Sequence, residues 1–162
     1  MPGENRIAAA AHTFRQNAAL LQKCFADMAD EEWLKRPGEN SNPILWILGH
    51  VIWGRSRVLA LMGEEWTRPW LPMFARGATL AADDQYPVPE ELLSAWYDVA
   101  AHLHAALDAV PVETLTAPVA EKAPSYDGTL GGMVTFLAFH ETYHLGQIAY
   151  LRSWLGHDCI LG

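Results

Sequence analysis

LGGMVTFLAFHETYHLGQIAYLRSWLG, residues 130–156, spaces Leu130, Val134, Leu137, Ile148, Leu151 and Leu155 along the steps of three and four that line one helical face. The same stripe runs through Glu141 and His144, so polar groups stand where core side chains are expected. Burying an imidazole or a carboxylate without partners costs on the order of several kcal/mol, so the segment HETYH must find hydrogen-bonding neighbours or a metal ion. Gly156 supplies the stop, and a helix over 129–156 is expected.

The N-terminal region repeats the pattern in Ile7, Ala11, Phe14, Ala18, Leu21, Phe25 and Met28, the seam of a bundle helix, here expected over 5–29. Ser41-Asn42-Pro43 combines a side-chain cap with a proline suited to the first turn and opens a helix over 42–62. Ile44, Leu45, Ile47, Leu48, Val51, Ile52, Val58 and Leu59 leave that helix little polar surface, which predicts burial, with His50 in its middle. Pro89-Glu90-Glu91 begins a helix over 89–110 carrying Leu92, Trp96, Val99, Leu103, Ala106 and Val110, and Pro111 ends it. Periodicity fails over 63–89, where Pro69, Pro72 and Pro87 interleave with Trp66, Trp70 and Phe74, and again over 111–128. A long connection rich in aromatics is expected to pack over a mouth of the bundle as a lid. The fold class is therefore all-α, one four-helix bundle domain over 1–162 with a long crossover between its second and third helices.

Composition narrows the function. A net charge of −8, with no cluster of lysines and arginines, argues against a nucleic-acid partner. No uninterrupted apolar run reaches the roughly 18 residues of a spanning helix, so no membrane is expected. The stretch MPGENRIAAAAHTFRQ lacks a basic-then-apolar signal, which points to the cytoplasm. Cys24 and Cys159 are far apart in sequence and suggest neither a disulfide framework nor a thiolate metal site.

His140 and His144 lie four apart, one above the other on a helix with Cβ atoms about 6 Å apart, and can converge on one ion. A hydrogen-bonded core pair would have the same spacing, so a third ligand has to distinguish the two. His50 is the candidate, although a lone core histidine bonded to a backbone carbonyl fits the same position. His102 and His104, two apart, point in nearly opposite directions, and His12 and His157 stand alone, with His157 expected to face water beyond Gly156.

Two segments resemble the DinB-like (damage-inducible, YfiT-like) superfamily of metal-binding four-helix bundles, and the likeness covers nearly the whole chain. His140 to Ile148 is similar to its H-x-x-x-H-x-G-Q run, continuing through Leu151, Arg152 and Trp154-Leu155-Gly156. Trp33 to Pro37, followed by Asn40-Ser41 and Trp46 to His50, resembles its tryptophan-arginine-proline turn and its metal histidine on the second helix. The resemblance implies a bundle with a long second crossover and a metal site of His50, His140 and His144. It also implies one divalent transition metal, nickel or zinc foremost, and homodimers. Characterised relatives include transferases and isomerases that use low-molecular-weight thiols such as bacillithiol, mycothiol or glutathione.

Three neutral nitrogens leave coordination positions for water or substrate, the pattern of catalytic metal sites, and a bound thiol would lose its proton there near neutral pH. The expected function is metal- and thiol-dependent transfer to small electrophiles. A metal-dependent hydrolase and a non-catalytic metal-binding bundle remain as alternatives. Gln147, three residues after His144, and Glu141 are candidate helpers. Glu141, adjacent to His140 and about 100° further round the helix, is expected to reach a neighbouring helix instead. Arg57, two turns after His50, is a candidate partner for an anionic substrate group, with a salt bridge as the simpler reading. Relatives often carry an acid in this part of the second helix, where this chain has Arg55-Ser56-Arg57.

Overall fold

The computed structural model describes residues 2–160, with side chains from 7 onward. Its helices are α1 (Pro2–Phe25), α2 (Ile44–Leu61), α3 (Pro89–Ala109), the single turn α4 (Val112–Leu115) and α5 (Leu130–Leu155). No strand forms among the described residues. The four long helices close a ring in which α1 packs on α5, α5 on α2, α2 on α3 and α3 on α1. Into its centre point Phe14 and Leu21, Ile44, Leu48 and Ile52, Leu92, Trp96 and Leu103, and Val134 and Ile148, all essentially without solvent contact.

Helix ends depart from expectation where tertiary contacts outcompete the local pattern. α1 stops at Phe25 rather than 29. Arg152 on α5 donates to the Cys24 carbonyl and, at 2.7 Å, to the Asp27 carboxylate, satisfying a helix-terminal carbonyl. Met28 still packs against the core, so its place in the apolar stripe reports burial without helix. α2 begins at Ile44 with Pro43 as its N-cap and no side-chain cap, contrary to the role expected of Ser41 and Asn42. The Leu45 N–H is instead met by the Trp33 carbonyl at 3.0 Å. α3 runs from Pro89 as expected, and α5 has Thr129 as cap, accepting from the Gly132 N–H, and Gly156 in the left-handed conformation at its end. The segment 111–128, expected to be irregular, contains the turn α4.

By length and composition α2 could cross a membrane, but 72% of it is buried inside the bundle, which accounts for its apolar surface. The crossover 62–88 is pinned to α3 and α2. The Trp66 indole N–H and Arg68 both reach the Asp98 carboxylate, at 2.9 and 2.6 Å, and the Trp70 N–H reaches Glu91 at 2.7 Å. Trp66, Leu71 and Phe74 are buried, and the short 3-10 turn Leu71–Phe74 packs against α2.

Candidate metal centre

His140 and His144 stand one turn apart on α5, with their Nε2 atoms 3.1 Å from each other. His50 faces them from α2, its ring centre 4.8 Å from that of His144 and 5.4 Å from that of His140. One donor atom from each imidazole falls within a 4.8 Å set. Two nitrogens about 2.1 Å from a shared ion lie roughly 3.4 Å apart in tetrahedral geometry. The His140–His144 pair is already near that distance, and closing the set needs no more than about 1.4 Å of side-chain adjustment. The residues fit a three-nitrogen metal site.

Each flank of the site fixes which nitrogen faces inward. His50 Nδ1 lies 2.7 Å from the Phe74 carbonyl, which can only accept, so Nδ1 carries the proton and Nε2 is left with its lone pair. His144 Nδ1 lies 2.7 Å from the Gln147 side-chain oxygen and donates to it, turning its Nε2 towards His140 by the same logic. Gln147 therefore has a definite partner in the triad. The contact with Phe74 depends on Gly49: a Cβ there would stand 2.3 Å from the Phe74 ring, so only glycine lets that ring lie against α2 and bring its carbonyl to His50.

Aromatic rings pack around His50 and His144. Trp46 and Trp53, one turn before and after His50, stack on its two faces with ring centres 5.0 and 5.3 Å away. Tyr143 meets His144 edge-on at 5.3 Å. Burial is the main cause holding the pKa values of His50, His140 and His144 below the usual imidazole range; the neighbouring histidines, and for His140 the charge of Arg76, add to it. The hydrogen bonds from His50 to Phe74 and from His144 to Gln147 oppose the effect. Neutral imidazoles are the form that ligates metal.

Glu141 does not reach this centre. Its two oxygens accept from Arg55 Nε and Nη2 at 2.7 and 2.8 Å, in an ion pair with almost no solvent contact. A carboxylate held in that way is not placed to take a proton from a ligand in the triad. Arg57 is exposed, and Arg55, two residues earlier, is the arginine that enters the bundle. His157 also departs from expectation: its ring nitrogens lie 2.9 Å from Glu32 and 3.3 Å from Asp27 rather than facing water. Phe74 is not legible as a site residue in the sequence, because its contribution is a backbone carbonyl from an irregular segment. The clue available was a glycine directly before His50, inside the bulky apolar run from Ile44 to Ile52.

No curated protein matches the chain. The profile of the DinB superfamily matches residues 13–148, a span that holds all three histidines, the whole of α2 and most of α5. The chain belongs to the DinB superfamily.

Proposed function

We propose that the protein holds one divalent transition metal, nickel or zinc, through His50, His140 and His144, and that the open side of this site activates a small thiol for transfer to an electrophile. The observation that carries the reading is the convergence of three imidazoles from two helices into one 4.8 Å set, each kept neutral by burial. A divalent ion bound by neutral nitrogens keeps its full charge and would acidify a thiol in a remaining position, delivering a thiolate near neutral pH.

The chain's own residues prepare that chemistry. Phe74 and Gln147 set the tautomers of His50 and His144. Trp46 and Trp53 exclude water around His50. The pairing of Glu141 with Arg55 favours thiol transfer over hydrolysis, because a thiolate is itself the nucleophile whereas attack by water calls for a proton acceptor near the ion. The choice of thiol rests on analogy with DinB-like transferases. The same reading makes the substrate a small molecule and the protein a cytoplasmic homodimer, the latter supported by exposed Phe139, Tyr143 and Tyr150 on α5.

The test is to load the protein with nickel or zinc and follow glutathione, bacillithiol and mycothiol in the presence of a panel of electrophiles. Consumption above the buffer rate, lost in His144→Ala, is expected. No consumption of any thiol, or ester hydrolysis that proceeds without thiol, would sink the transferase reading.

A further inference from the structure

Arg55 is almost fully buried and touches all four long helices. From α2 it donates to both Glu141 oxygens on α5 and, through Nη2, to the Phe14 carbonyl on α1 at 2.9 Å. Its guanidinium lies over the Trp96 ring of α3, 4.1 Å from the centroid. Glu141 follows His140 directly, and Arg55 follows His50 by five residues, about 7.5 Å along the helix axis. One end of the pair is thus rigidly tied to two of the histidines and the other end to the third.

α5 needs such a tie because hydrophobic burial alone leaves its rotation poorly defined. Val134, Ala138, Leu145, Ile148 and Leu151 are buried on one side, yet Phe139, Tyr143, Tyr150 and Trp154 are substantially exposed on the other. A helix apolar on all sides gains nearly as much by turning as by staying, so directional bonds must choose. Thr142 with Asn17 and Arg152 with Cys24 bind α5 to α1, and Arg152 with Asp27 binds it to the turn that follows α1. Among the described residues, the only side-chain hydrogen bonds between α5 and α2 are those of Glu141 with Arg55.

The pair is an expensive way to add stability. Two charges leave water, and Arg55 Nη1 finds no partner in the core. Buried ion pairs of this kind are often matched in stability by apolar residues of similar volume. What an apolar replacement lacks is direction: the side-on, two-bond contact of a guanidinium with a carboxylate fixes both azimuth and axial register.

We infer that Arg55 and Glu141 are positioning residues for the metal centre, holding α5 at the rotation and height on α2 that aim His140 and His144 at His50. The inference rests on the three-histidine metal reading and adds to it.

The test uses the full chain loaded with cobalt(II), whose visible bands report the geometry of its ligands. Glu141→Gln leaves Arg55 uncompensated and is expected to lower the thermal midpoint by on the order of 10 °C. The double variant Arg55→Met/Glu141→Leu is expected to recover most of that loss while binding cobalt about tenfold or more weakly, with displaced bands. Arg55→Lys, which keeps the charge and loses the fork, should fold and show displaced bands as well. A double variant or Arg55→Lys with wild-type affinity and spectrum would overturn the positioning role and leave the metal reading intact. Wild-type protein that binds no cobalt would overturn the metal reading, and the positioning role with it.

Discussion

A backbone carbonyl decides how His50 presents itself, and a missing side chain decides whether that carbonyl can arrive. Gly49→Ala places a methyl group 2.3 Å from the fully buried Phe74 ring. Overpacking of this sort costs about 1–3 kcal/mol, and here it also displaces the acceptor of the His50 Nδ1 proton. Gly49→Ala is expected to lower the denaturation midpoint and weaken metal binding together, as measured by chemical denaturation and by competition with a chromophoric chelator. The three imidazoles also predict a pH dependence. Their folded pKa values lie below the ordinary 6.5, so between those values and 6.5 the unfolded chain binds more protons than the folded one, and stability rises with pH. Metal-free protein should lose thermal midpoint as pH falls from 7.5 to 5.5, and His144→Ala should show a shallower fall. At this scale the sequence exposes His140 and His144 by spacing. It cannot expose Phe74, whose role is in its backbone, or tell Arg55 from Arg57, since the two lie about 200° apart on the helix and only packing shows which faces inward.

Helices were legible wherever apolar spacing and end signals agreed. Pro89 opens α3 and Gly156 closes α5, because each residue's backbone satisfies the local geometry by itself. Boundaries failed where a distant residue supplied the cap. The α1 end belongs to Arg152, 128 positions away from Cys24, and the α2 start borrows the Trp33 carbonyl. Arg152→Ala is expected to cost about 2 kcal/mol, chiefly from the Cys24 carbonyl it leaves unmet, since Asp27 is largely exposed and its ion pair is screened by water. The Asp27 carboxyl, held at about 2 mainly by its hydrogen bond from Arg152, should return towards its ordinary 3.8 in the same variant. Carboxyl titration by NMR reads the second effect, and thermal denaturation the first.

The whole molecule is a ring of four helices whose core is interrupted at two levels by polar groups. The Arg55–Glu141 pair joins the four helices, and the three histidines gather under the crossover. The architecture was readable because four apolar stripes in a short chain have few ways to bury one another. The crossover's path over α2 was not, since irregular segments carry no periodicity and its anchors, Asp98 and Glu91, lie on another helix. What the ring accomplishes is to bring His50, remote in sequence, onto the pair that the α5 spacing announces. The most direct test of that convergence is elemental analysis of protein purified without an affinity tag, beside His50→Ala and His144→Ala. About one divalent transition metal ion per wild-type chain, and little in either variant, is expected. Equal metal content in all three proteins, or none in the wild type after loading, would contradict it.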